Sequence, residues 1–249
     1  MWPSQITFGP VVLHLYGLII GVAIWAAAQV AATVYKRQGG KEKVIWQGFL
    51  WLLVGGVIGA RWYHVIDGWE YYQANPGAIF QIWQGGLGIW GAIIGGLGGI
   101  LVYSWVKRLA FLTLADAVVM GAPLGQAIGR WGNYVNQELY GQLTKLPWGI
   151  TITGLLGKYQ PLFLYESGLC LGLFGLLLFL EKRQRWPLGW GGYLGVYLVG
   201  YGLIRLMLEP FRLEPWRVGG VPTASLVAGL MLIVGLLYWV RAVRIKAHA

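Results

Sequence analysis

Cysteine is nearly absent from this sequence: Cys170 is the only one in 249 residues, which excludes an intrachain disulfide. It lies inside an apolar run, where a thiol packs as a small inert hydrophobe. Charge is also scarce, at 11% Asp, Glu, Lys and Arg against the roughly 25% of an ordinary globular domain. With 57% hydrophobic residues, that scarcity excludes a soluble domain. The three histidines and the single cysteine form no cluster with metal-ligand spacing. A phosphate-binding Gly-Lys loop and a Gly-x-Ser-x-Gly elbow are missing too. Zinc, nucleotide and serine-hydrolase chemistries therefore have no residues to stand on, and no cofactor is expected. Residues 1–10 hold no Lys or Arg, and no small-residue cleavage site follows the first apolar run, so a cleavable signal peptide is not expected.

What is abundant is glycine and tryptophan, forty and fifteen residues respectively. Membrane helices tolerate the first and place the second at their interfaces. Seven hydrophobic spans follow, at about 11–35, 44–65, 86–106, 111–129, 162–180, 188–209 and 221–240, each near the roughly 20 residues a bilayer requires. The expected fold is an all-α integral membrane protein, a bundle of seven transmembrane helices read as one polytopic domain over 1–249 and as a monomer. External excursions are expected at 66–83, where Trp69, Tyr71, Tyr72 and Trp83 alternate with polar residues, and at 141–161, broken by Pro147, Gly149, Gly154, Gly157 and Pro161.

The connecting segments sort by charge. Lys36, Arg37, Lys41 and Lys43 follow span one, Lys107 and Arg108 span three, Lys182, Arg183 and Arg185 span five, and Arg241, Arg244 and Lys246 span seven. Only Glu42 and Glu181 oppose them. The other basic residues (Arg61, Arg130, Lys145, Lys158, Arg205, Arg212, Arg217) are matched in number by Asp67, Glu70, Asp116, Glu138, Glu166, Glu209 and Glu214. The net charge of +10 thus sits in one set of loops, which the positive-inside rule makes cytoplasmic, with the N-terminus outside and the C-terminus inside. It is a topology signal and calls for no nucleic acid. The balanced but ion-rich remainder suggests a polar cavity toward the outer leaflet. Glycines four apart (Gly55/Gly59, Gly91/Gly95/Gly99, Gly121/Gly125/Gly129, Gly191/Gly195) mark helix faces open to close packing. No internal repeat is visible, which weighs against a secondary transporter.

The segment Gly129-Arg-Trp-Gly-Asn-Tyr-Val-Asn-Gln-Glu-Leu-Tyr-Gly141 holds Arg130, Asn133, Asn136 and Glu138 at the end of an apolar run. An arginine at membrane depth costs a few kcal/mol or more, so it needs a partner, either another residue of the bundle or an anionic ligand. Span six ends Tyr201-Gly-Leu-Ile-Arg205-Leu-Met-Leu-Glu209-Pro-Phe-Arg212, with Tyr201, Arg205 and Glu209 four apart on one stripe. One reading is a self-neutralising Arg205–Glu209 pair. The other is that Arg130 and Arg205 face one cavity and form a phosphate site. Pro210 leaves the place of Arg212 on that stripe open. His14, Tyr16 and His64 sit near span ends as interfacial groups. Asp116 and Glu166 are expected to satisfy an arginine or a helix terminus.

These residues resemble those of bacterial prolipoprotein diacylglyceryl transferases. Gly129–Gly141 is similar to that family's signature Gly-Arg-x-Gly-Asn-Phe-x-Asn-x-Glu-x-x-Gly, with Tyr134 for Phe. Further matching segments are His14-Leu-Tyr16-Gly17, Gly59-Ala-Arg61, Trp83-Gln-Gly85-Gly86, Asp116, Leu164-Tyr165-Glu166 and Tyr201-Gly-x-x-Arg205-x-x-x-Glu209-x-x-Arg212. The resemblance implies transfer of the diacylglyceryl group of phosphatidylglycerol to the lipobox cysteine of a preprolipoprotein signal peptide, in the bacterial cytoplasmic membrane. It implies Arg130, Arg205, Tyr16 and Tyr201 as catalytic residues, and Asn133, Asn136, Glu138, Gly141, Glu209, His14 and Arg61, together with Arg130, as the substrate-binding set. Trp90 stands where the family usually has His, Gln160 replaces a second His, and Thr223-Ala224 replaces a more polar pair. A silent relative that binds anionic lipid or signal peptides is the alternative these departures favour, and a small transporter or channel is a third reading.

Overall fold

The computed structural model describes residues 5–8, 11–82, 85–213 and 216–248. Two short antiparallel strands, β1 (Gln5–Phe8) and β2 (Val11–His14), lead into α1 (Leu15–Arg37). The first apolar run therefore starts as a strand and turns helical only at Leu15, four residues later than the sequence suggested. Then come α2 (Glu42–Asp67), the short α3 (Trp69–Ala74) and a 3-10 turn over Pro76–Phe80. The long helices α4 (Ile89–Val106) and α5 (Phe111–Val135) follow. A two-residue strand pair, β3 (Leu143–Thr144) with β4 (Lys158–Tyr159), precedes α6 (Leu162–Lys182) and α7 (Gly192–Leu208). A second such pair, β5 (Arg217–Val218) with β6 (Val221–Pro222), leads into α8 (Thr223–Ala247). Seven of these helices are long and apolar enough to cross a membrane. Trp83 and Glu214 lie outside the described residues.

Small residues decide which helices touch. On α2 and α4, Gly55 and Gly59 meet Gly91, Gly95 and Gly99 so closely that a Cβ on any of them would strike the other helix's backbone. The α1–α5 contact is built the same way: Ala23, Ala27, Ala28 and Ala31 form the buried seam of α1, and Gly121 abuts the Ala27 carbonyl. In lipid there is no hydrophobic drive to pair helices, so close backbone approach and van der Waals contact take over. Leu18, Trp25, Leu50, Ile94 and Leu237 lie exposed on the outside, as lipid-facing positions require.

The basic loops gather at one end of the bundle. Arg37 pairs with Glu181 at 3.5 Å, Leu188 N–H donates to Gln38 Oε1 at 2.8 Å, and Lys246 Nζ donates to the Arg185 carbonyl at 2.9 Å. Asp116 belongs to this end, a correction to its grouping with the outer ions. It is fully buried, and its carboxylate accepts the N–H groups of Gly189, Gly191 and Leu194 at 2.8–2.9 Å. Those of Gly191 and Leu194 are orphan donors of the α7 N-terminus, whose N-cap Gly191 takes a left-handed conformation at φ 81. Of the two roles expected for Asp116, the helix terminus is the one observed.

At the opposite end, segment 141–161 is tied to the exit of α7. Gly141 bridges Arg212, and Gln142 N–H donates to the Phe211 carbonyl at 3.0 Å. Gln160 belongs to this backbone lattice, exchanging hydrogen bonds with Gly141 and Gln142.

A cationic cavity between the helices

On α5, Val118, Ala122, Gly125, Gln126, Gly129, Arg130 and Asn133 recur at i, i+4, i+7, i+8, i+11, i+12 and i+15 and share one face. That face lines a cavity of about 930 Å³, enclosed further by Tyr16 and Ile20 of α1, Phe49 and Leu52 of α2, Trp90 of α4, Glu166 of α6, Tyr201 and Arg205 of α7, and Thr223 of α8. The volume falls within the roughly 300–1,000 Å³ typical of small-molecule sites, and most of the wall is apolar.

The two arginines predicted to converge do so, and they converge on a shared carboxylate. Arg130 Nη2 donates to Glu166 Oε1 at 2.6 Å, and Arg205 Nη1 donates to Glu166 Oε2 at 3.2 Å. Tyr201 donates its hydroxyl to Glu166 Oε1 at 2.9 Å and accepts from Arg130 at 3.4 Å. Arg205 Nη2 also approaches Glu209 Oε2 at 3.7 Å, and Arg212 Nη1 donates to the same oxygen at 3.4 Å. Pro210 does end α7, but the 3-10 turn Glu209–Phe211 brings Arg212 back to the network.

Beneath the ions, Ala127, Cys170, Leu173, Ile204 and Leu208 pack as a buried cluster joining α5, α6 and α7. Ser167 Oγ donates to the Ala127 carbonyl at 2.9 Å, locking α6 against α5 one residue from Glu166. This packing aims three helices' charges at one place.

Three guanidiniums thus share two carboxylates, leaving one excess positive charge in the buried network. The arginine side chains remain 18–27% exposed while those of Glu166 and Glu209 are only 5–6% exposed. The cations line the cavity with Glu166 beside them, and Glu209 lies outside the lining. Neither of the two readings of Arg205 is complete alone: it pairs with Glu209, yet it also faces the cavity shared with Arg130.

Of the other expected site residues, Tyr16 lines the cavity with its ring against Gly132, where a Cβ would come within 2.8 Å. Asn133 accepts from Arg130 at 3.2 Å and donates to Glu138 Oε1 at 2.9 Å. Glu138 is exposed and orients Asn133 rather than an arginine. Asn136 caps the end of α5 on the exposed side, and His14 precedes α1 outside the cavity wall.

Arg61 lies apart from the cavity. It is 8% exposed, and its guanidinium donates to the carbonyls of Ala78, Ile79, Gly85 and Gly86 while lying over the Tyr72 ring. It clamps the segment between α2 and α4 and contributes no wall to the cavity. Glu166 is the residue the sequence reading left out of the site. Of the two roles expected for it, an arginine or a helix terminus, the arginine is the one observed. Trp90 forms part of the cavity wall, with its ring centroid 6.3 Å from that of Trp216.

Fold and cavity together define a multi-pass membrane protein with a cationic cavity among its helices. A family model described as prolipoprotein diacylglyceryl transferase matches residues 3–241. The chain belongs to that family. Proteins named phosphatidylglycerol-prolipoprotein diacylglyceryl transferase resemble it along most of their length. That of Thermosynechococcus vestitus is 35% identical over 240 residues, covering 93% of this chain and 89% of its own. That of Leifsonia xyli is 38% identical over 256 residues, covering 93% and 75%. That of Clostridioides difficile is 35% identical over 222 residues, covering 89% and 88%.

Proposed function

We propose that this protein transfers the diacylglyceryl group of phosphatidylglycerol to the thiol of a lipobox cysteine in a preprolipoprotein signal peptide. The observation that carries the reading is the convergence of Arg130 and Arg205 on Glu166 at the wall of a largely apolar cavity. Family membership supports it independently.

The thiolate sulfur attacks the glycerol carbon that bears the phosphate. A C–S bond forms as the C–O bond breaks, and the electron pair departs with glycerol phosphate, which also takes up the thiol proton directly or through solvent. Arg130, Arg205 and Arg212 stabilise the negative charge gathering on the phosphate. Glu166 and Glu209 hold those guanidiniums in place, Asn133 addresses the head group, and Tyr16 and Tyr201 lie within reach of thiol or phosphate. Preorganised cations in a water-poor site are suited to this task, because they need no reorganisation as charge develops.

Trp90 offers only an indole N–H donor and takes no proton. Thiol activation is therefore electrostatic here. A free thiol with pKa about 8.5 is already roughly a twentieth ionised near neutral pH, and neighbouring cations raise that fraction. The loss of a dedicated base removes a factor of about 10²–10⁴ and leaves the larger charge term in place.

The protein sits in the bacterial cytoplasmic membrane with its N-terminus outside. The joining of the basic loops at one end of the bundle supports that orientation. Arg130→Gln, assayed for transfer to a lipobox peptide in reconstituted membranes, is expected to lower turnover by about 10²–10³. Undiminished product would sink the assignment.

A further inference from the structure

Along the cavity face of α5, polarity rises step by step. Val118 and Ala122 are apolar, Gln126 is a neutral amide, Arg130 is a cation, and Asn133 lies at the polar end. A phospholipid laid along that face has the same order: acyl chains, ester carbonyls, phosphate, head group. Gln126 is one turn from Arg130, about 6 Å along the axis at 1.5 Å per residue. In a glycerophospholipid the next polar groups from the phosphate, across the glycerol carbons, are the ester carbonyls.

The Gln126 amide is also incompletely bonded. Its Nε2 donates to the Tyr197 hydroxyl at 2.9 Å, while Oε1 is buried with no partner among the described residues. Nε2 carries a second hydrogen that meets no partner among the described residues, and Gln126 lines the cavity, so the amide keeps one donor for something else. The neighbouring wall offers no substitute, since Ala23, Ile24, Ala27, Phe49 and Leu52 are apolar. Tyr197 is held in place by stacking on Tyr201, with ring planes 3° apart, so the amide is anchored to the residue beside the ion network.

We propose that Gln126 donates Nε2–H to an ester carbonyl of the bound phospholipid and thereby favours diacyl, ester-linked donors over dialkyl, ether-linked ones. The inference rests on the phosphatidylglycerol reading above. An ether oxygen has no carbonyl to offer, so an ether lipid leaves the amide unpaired, whereas an ester lipid satisfies it. Arg130 and Arg205 recognise phosphate in both lipids alike, and Gln126 tells them apart.

The test compares phosphatidylglycerols of equal chain length, one diester and one diether, with the full-length protein. Two readouts are taken: KM and kcat for transfer to a lipobox peptide, and lipid-dependent thermal stabilisation in detergent. The wild type is expected to show a KM about two- to tenfold lower for the diester, the worth of one neutral hydrogen bond, with kcat nearly equal. Gln126→Leu brings the KM ratio toward one. Gln126→Met, closer in shape, does the same where the Leu variant folds poorly, and Tyr197→Phe lowers the ratio partway by releasing the amide. A wild type that treats both lipids alike, or a Gln126 variant that shifts both by the same factor, as it would if the amide merely held a water or shaped the wall, overturns the proposal. If the wild type transfers from neither lipid, the transferase reading fails, and the ratio of thermal stabilisation by the two lipids still decides whether Gln126 reads an ester.

Discussion

Two carboxylates of this bundle, Asp116 and Glu166, are almost equally hidden, at 0% and 4% exposure, yet they are held in opposite ways. Asp116 sits at the basic end and is satisfied by backbone N–H groups of the α7 start. Those donors are fixed, carry no net charge and have no other use. Glu166, toward the other end of the same helices, is satisfied by two guanidiniums and a tyrosine hydroxyl. Those donors are side chains on the wall of a cavity, and they can take a second anion without leaving the first. A buried anion bonded to backbone is part of the scaffold. One bonded to cations on a cavity wall is part of a site.

The arginines repeat the contrast. Arg61 donates to four carbonyls of the segment following α2, an arrangement that uses its hydrogen bonds on the chain itself. Arg130 and Arg205 share their partners and keep a face toward open volume.

The contrast can be broken from either side. The largest effect is expected from Asp116→Ala, which strands three N–H groups at about 1–3 kcal/mol for each left buried and unsatisfied. Thermal unfolding in detergent should show a large fall in stability that added phosphatidylglycerol does not restore. Next is Glu166→Gln, which keeps the shape, removes the shared anion and turns one of its two acceptors into a donor facing other donors. Retention of anionic lipid is expected to rise, because the buried network gains a net positive charge, while transfer falls because the guanidiniums lose their alignment. Equal losses of stability in the two variants would erase the distinction drawn between scaffold and site. The smallest effect is expected from Arg61→Ala. Its carbonyl partners lie near the surface, where water can replace the guanidinium, so stability should change by about 1 kcal/mol per hydrogen bond or less. Faster hydrogen exchange and proteolysis over residues 68–82 would register it, whereas a selective loss of lipid affinity would return Arg61 to the binding set.

Much of this was legible along the chain. Apolar runs and the bias of Lys and Arg announce helices and loops locally, and their lengths came out close to the helices observed. Arg130 and Arg205 stood out because charge is costly at membrane depth, and Glu209 because four residues is one helical turn. Glu166 could not be assigned in the same way. It lies 36 residues from Arg130 and 39 from Arg205, and only the packing of α6 against α5 and α7 brings the three together. Arg61 is the complementary case. Its sequence context resembles the family's, but its reach toward the carbonyls of 78–86 depends on how that segment folds back over α2.

The amino-acid sequence by itself determined that this chain crosses a membrane several times and carries uncompensated cations near one end of its spans. Hydropathy and charge act on each segment in isolation, so those properties need no neighbours. Which cations share an anion, which is diverted to hold a loop, and whether Trp90 borders the cavity were decided by tertiary structure. Each depends on side chains meeting across helices, and small residues at the interfaces set those distances.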